Sequence, residues 1–187
     1  MSKVSEIIKS LLVELEVDIT NENFQDTPTR VERMYREILY TKEKRDEQVK
    51  QILSRTFPSK YSGMVISKGI ETFGMCGHHL LPIKLNVVLG YIPNERVLGL
   101  SKLARVADVL SKQPMIQEDY TEEIAEAMME VLEPQGVGVY VEGLHYCQIM
   151  RGAKQSNAVM ITTKLAGCFL EADSVKNEFM EACRKGG

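Results

Sequence analysis

The stretch MVISKGIETFGMCGHHLLPIKLNVVLGYIPN, Met64 to Asn94, decides the fold. Met64 to Phe73 and Leu80 to Ile92 read as strands, and Pro93-Asn94 marks a turn after the second. The loop between them carries Cys76, His78 and His79. Downstream, Ser101 opens a helix carrying Leu103, Val106, Ala107 and Leu110, which stops near Pro114. Thr121 caps a second helix with Ile124, Met128, Val131 and Leu132, which stops at Pro134. Val137 to Met150 alternates and is rich in β-branched residues, so it reads as a strand, as does Ala158 to Leu165. A last amphipathic helix covers Val175 to Cys183.

Upstream, Ile7, Ile8, Leu11, Leu12 and Leu15 recur at helical spacing, and a polar linker from Thr20 to Gln25 follows. Thr27 and Pro28 start a second helix, with Thr27 as N-cap and Val31, Met34, Tyr35 and Ile38 on one face. The charged run Lys42 to Asp46 ends it as a solvated segment. Two strands, two helices and two more strands imply an α+β domain with an antiparallel sheet. Residues 1–60 form a helical N-terminal region and residues 61–187 the α+β domain.

With 187 residues, 44% apolar and 26% charged, the chain is of globular composition and long enough for one good core. It has no tryptophan and ten methionines, which implies an aliphatic, Met-filled interior. A net charge of -3 with scattered Lys and Arg argues against a nucleic-acid-tracking surface and leaves room for a local basic pocket for a small anion. The N-terminus lacks the apolar core of a secretory signal, and no window is apolar enough to span a membrane. The four cysteines, Cys76, Cys147, Cys168 and Cys183, are therefore read as free thiols or metal ligands in a cytoplasmic protein.

All three histidines stand beside a cysteine, in two clusters: Cys76 with His78 and His79, and His145 with Cys147. If Leu144 to Cys147 is extended, His145 and Cys147 share one strand face. Imidazole and thiolate are ordinary zinc ligands. Each cluster alone is weak, because a single His or Cys is more often a core residue. Together, with no histidine left over, they point to a metal site. Four ligands would close a structural shell, whereas three would leave a position for water and a histidine for proton transfer.

These motifs resemble GTP cyclohydrolase I. The resemblance is carried by DTPTRVERMY (Asp26 to Tyr35), MCGHHLLP (Met75 to Pro82) and GYIPNERVLGLSKLAR (Gly90 to Arg105). It continues in Gln117-Glu118 and QGVGVYVEGLHYCQIMRG (Gln135 to Gly152). It implies the tunnelling fold, with antiparallel strand pairs flanking two helices in a ring-shaped homo-oligomer, usually a decamer, and active sites between subunits. It also implies Zn2+ on Cys76, His79 and Cys147, and hydrolysis of GTP to dihydroneopterin triphosphate and formate, the first step of folate and pterin synthesis. In the family a metal-bound water attacks C8 of guanine. By resemblance His78 protonates N7, and His145 assists proton transfer at that water or at N9. Glu118, with Gln117, matches the reader of the guanine edge, since a carboxylate suits the adjacent N1–H and amino donors. Ser101, Lys102, Arg105, Arg151 and Arg30 match the triphosphate-binding set, the first three at a helix start that favours anions.

Three departures fall near these residues. Gly77 stands where the family has an acid between Cys and His. Asp119-Tyr120 replaces Arg-Leu after Gln117-Glu118, setting a second negative charge beside the guanine reader. Ala158, Val159 and Met160 stand where small hydroxyl residues are usual. They keep two other readings open: a related purine or a reaction that stops at ring opening, and a non-catalytic protein with zinc closed by Cys76, His79, His145 and Cys147.

Overall fold

The computed structural model describes Ser2 to Arg184, which fall into two compact units that divide between Tyr40 and Thr41. The first unit is the helix pair α1 (Lys3–Glu14) and α2 (Thr27–Ile38). In α2, Thr27 and Pro28 are the first helical residues, so the N-cap position falls one residue earlier, on Asp26.

The second unit runs α3 (Lys42–Leu53), β1 (Thr56–Pro58), β2 (Val65–Cys76), β3 (Pro82–Ile92), β4 (Arg96–Leu98), α4 (Lys102–Leu110), β5 (Pro114–Met115), α5 (Gln117–Leu132), β6 (Gly136–His145), α6 (Tyr146–Ile149), β7 (Met160–Gly167), α7 (Cys168–Glu171) and α8 (Asp173–Arg184). The charged run at Lys42 is a separate helix, not the tail of α2. Leu39 is extended, and the Thr41 hydroxyl caps the new start by accepting from Lys44 N–H. Nor is the run wholly solvated. Arg45 is buried, donating from Nη1 to Leu110 O at 3.0 Å and to Glu123 at 3.1 Å.

The main sheet has the order β5-β2-β3-β6-β7 and is antiparallel except for the short β5–β2 pairing. This is the α+β arrangement that the strand–helix–strand order implies. Ile83, Leu85, Val87, Leu89 and Tyr91 of β3 and Val137, Val139 and Val141 of β6 alternate along their strands and form one core with α4 and α5. Val88 lies in a second cluster with Phe169 and Phe179 of α7 and α8, whose rings meet edge to face at 5.4 Å. Apolar side chains on both faces explain the near-continuous apolar run of β3. A β-bulge shifts the β2–β3 register between Ser67 and Ile70, with Gly69 left-handed.

Strand ends shift by up to three residues at β2, β3 and β7, and two boundaries move further. α5 begins at Gln117 and not at Thr121, whose hydroxyl instead donates to Gln117 O within the first turn at 2.8 Å. Glu118 and Asp119 supply the negative charge that favours this start. β6 stops at His145, five residues short of Met150. The reason is pairing: β3 begins at Pro82, with Ile83 opposite His145, and the β7 ladder begins at Met160 opposite Gly143. Beyond His145 neither neighbour offers a strand, so the chain turns into α6.

Arg45→Ala removes the buried anchor of α3 on α4 and α5. It is expected to lower the unfolding free energy by about 3 kcal/mol in urea titrations, against less than about 1 kcal/mol for Glu122→Ala in the exposed pair with Lys164.

Candidate active site

At the end of β2 the chain reverses through residues 77–81. Leu80 N–H bonds to Cys76 O and Cys76 N–H to Leu81 O, both at 2.8 Å, with Leu80 in the left-handed region at φ 52°. Gly77 N–H is tied to Met115 O of β5 at 2.9 Å. This turn brings His79 Nδ1 to 3.9 Å from Cys76 Sγ. From the end of β6, Cys147 Sγ arrives at 3.8 Å from the same sulfur.

Cys76, His79 and Cys147 thus have their donor atoms within 4.8 Å of one another, a group able to hold a metal ion. Two thiolates about 2.3 Å from one tetrahedral zinc stand about 3.8 Å apart, and a thiolate and an imidazole nitrogen about 3.6 Å. The spacings fit that ion and are far too long for a disulfide. Burial, and then the adjacent Cys76 sulfur, push the Cys147 thiol up. A cation between the two sulfurs would reverse this. Cys76 is buried, Cys147 half-buried and His79 exposed, so the group opens to solvent on its imidazole side.

His145 does not join the group. Cys147 lies on α6 rather than on the strand, so the two side chains do not share a strand face as their spacing suggests. The His145 ring instead places Nε2 2.9 Å from Gln117 Oε1. Burial lowers its pKa, the Glu118 carboxylate opposes this, and the His78 ring adds to it. Both groups are therefore within electrostatic reach of His145. His78 is exposed, with its ring 6.2 Å from that of His79.

Glu118 and Asp119 open onto different cavities. Glu118 lines one of about 240 Å³ with Thr121, Thr162, Thr163 and Lys164. Asp119 lines another of about 340 Å³ with Gly77, His78 and Glu123. The second negative charge thus faces the His78 side. Gly77 is not required by the backbone: its φ is negative, and a Cβ there would meet only Met115 main chain at 3.5 Å. Met160 uses its carbonyl to accept from Gln117 Nε2 at 3.0 Å.

Ser101 is the N-cap residue of α4, and Lys102 and Arg105 lie in its first turns. Arg151 follows α6 and is exposed. Lys102, Arg105 and Arg151 make no salt bridge among the described residues, which leaves their charge available to an anion. Arg30, in the first unit, pairs with Asp26 at 3.6 Å on an exposed helix face. What the sequence did not reveal is the extent of Gln117 burial. Its partners lie 24 to 45 residues away, and only the register of β6 and β7 brings them together.

The family model described as GTP cyclohydrolase I matches residues 4–184. GTP cyclohydrolase 1 of Clostridium perfringens (strain 13 / Type A) is 44% identical, covering 94% of both chains. That of Campylobacter curvus is 39% identical over 92% of this chain and 90% of its own. That of Coxiella burnetii (strain RSA 493 / Nine Mile phase I) is 35% identical over 97% and 98%.

Cys147→Ala is expected to lose stoichiometric zinc by elemental analysis, while His145→Ala retains it. The reverse pattern would exchange their places at the metal.

Proposed function

The chain belongs to the GTP cyclohydrolase I family of enzymes, and from that membership we propose that it converts GTP to 7,8-dihydroneopterin triphosphate and formate with zinc. The observation that carries the zinc-dependent reading is the three-donor group of Cys76, His79 and Cys147, which leaves His78 and His145 for proton transfer. Zinc held there supplies Lewis acidity and an activated water at neutral pH.

The remaining work falls to side chains. Glu118 accepts from N1–H and the 2-amino group of guanine. Adenine has a lone pair at N1 and no 2-amino group, so the same carboxylate rejects it. His78 delivers a proton to N7 as the imidazole ring of the base opens. His145 carries the proton exchanged near N9. Ser101, Lys102, Arg105 and Arg151 take the triphosphate, whose remote binding energy holds C8 in place, and Arg30 is assigned to the same task by the family motif alone. C8 leaves as formate, and the ribose rearranges and closes to the pterin. Residues 61–187 are taken as the catalytic domain, in a homo-oligomeric ring of the tunnelling fold with sites between subunits. The reading further places the enzyme in the cytoplasm at the start of folate or pterin synthesis. No described helix is long and apolar enough to cross a membrane.

A second reading rests on Gly77 and Asp119, which leave an acid-lined cavity beside His78. In that reading the reaction stops after ring opening or acts on a related purine. Following formate and the pterin absorbance together on zinc-loaded protein separates the two. The first reading expects both signals from GTP, and expects His78→Ala and His145→Ala each to lower kcat by about 100-fold or more with zinc retained. Ring-opened product without formate would establish the second reading. GTP bound without any turnover would overturn the first reading and confine the second to a related purine.

A further inference from the structure

We propose that Gln117 is a positioning residue that fixes the tautomer of His145, so that Nδ1 is the nitrogen through which His145 exchanges its proton. The proposal rests on the reading that His145 transfers a proton. It assigns to Gln117 a task other than contact with the substrate.

The directions of the hydrogen bonds follow from what each group can donate. Gln117 is 1% exposed. Its Nε2 lies 3.2 Å from Val141 O and 3.0 Å from Met160 O. Carbonyl oxygens only accept, so the NH2 group must face them and Oε1 must face His145. A flipped amide would set Oε1 against two carbonyl oxygens inside the protein, which is costly.

The hydroxyls are consistent with this orientation. Thr121 Oγ1 spends its proton on Gln117 O at 2.8 Å. The bond between Thr121 Oγ1 and Thr162 Oγ1, at 2.6 Å, must then be donated by Thr162. Thr162 Oγ1 is left to accept from Gln117 Nε2 at 3.2 Å. The two Nε2 hydrogens are shared among Val141 O, Met160 O and Thr162 Oγ1, and Oε1 can only accept. His145 Nε2, at 2.9 Å, must therefore carry a hydrogen. A neutral His145 then has its lone pair on Nδ1, and protonation there leaves the Gln117 bond intact.

Gly143 supplies the space. It lies on β6 opposite Met160, and a Cβ there would overlap Gln117 Oε1 and come within 3.3 Å of His145 Nε2. The amide fills the room that the missing side chain leaves. With both side-chain polar atoms engaged and buried, the Gln117 side chain has nothing left to offer a nucleobase.

The test is solid-state NMR of zinc-loaded protein labelled with 15N-histidine, alongside steady-state kinetics on GTP. The chain has only three histidines, so the rings are separable. In the parent, neutral His145 is expected as the Nε2–H tautomer. Gln117→Leu removes the acceptor and is expected to turn His145 to Nδ1–H or to a mixture. It should lower kcat about 10- to 100-fold, with KM for GTP within about threefold. Gln117→Glu, buried and protonated so that its hydroxyl donates toward Val141 O and Met160 O as Nε2 does, keeps a carbonyl oxygen facing His145 Nε2 and should retain the tautomer, with kcat above that of the Leu variant. It also keeps the test usable should the Leu variant not fold. An Nδ1–H tautomer in the parent would overturn the proposal. So would an unchanged tautomer in Gln117→Leu, or a loss confined to KM. A changed tautomer with kcat intact would uphold the positioning and overturn proton transfer by His145 instead.

Discussion

The antiparallel pairing of β3 with both β2 and β6 is the constraint on which the site depends. Met75 stands opposite Pro82, and Ile83 opposite His145, so β2 and β6 end at the same edge of the sheet. Cys76 and Cys147, 71 residues apart in sequence, reach 3.8 Å because the two strands end together. Each then turns away for a local reason: β2 through the bonded 77–81 turn, and β6 because its neighbours have no further strand to offer. A one-residue register slip would turn the side chains at the end of β6 to the opposite face. The apolar residues on both faces of β3, buried against α4 and α5 on one side and Phe169 and Phe179 on the other, oppose such a slip.

Proton chemistry is attached to the same sheet end by the first turn of α5. Gln117 enters from that helix into the space over Gly143 and engages His145, while its neighbour Glu118 opens onto a separate cavity beside the β7 threonines. Asp119, one residue further, turns toward His78. Three successive helix positions thus address three parts of the site. A helix start can do this because consecutive residues point about 100° apart.

Much of this was legible in the sequence. Alternation identified β2, β3, β6 and β7, and helical spacing identified α1, α2, α4, α5 and α8. Spacing marks the two Cys–His clusters but does not choose among their donors; the resemblance to GTP cyclohydrolase I selects Cys76, His79 and Cys147, and those three side chains converge. Other features depended on partners remote in sequence. The separate helix α3 was hidden because Arg45 reads as a surface charge until Glu123 and Leu110 O are brought to it. The early start of α5 was missed because Ile116 is no capping residue and Thr121 looks like one. The end of β6 could not be read from its own residues, since what it lacks is a neighbour. The spacing of His145 and Cys147 suggested a shared strand face for that reason, whereas the chain turns into α6 between them.

Zinc K-edge X-ray absorption on the zinc-loaded protein tests the central claim most directly. A ligand set of Cys76, His79 and Cys147, with His145 held by Gln117, predicts two sulfurs at about 2.3 Å, one imidazole nitrogen and one water oxygen. Two sulfurs with two imidazoles and no water would mean that His145 closes the shell, and would contradict the account.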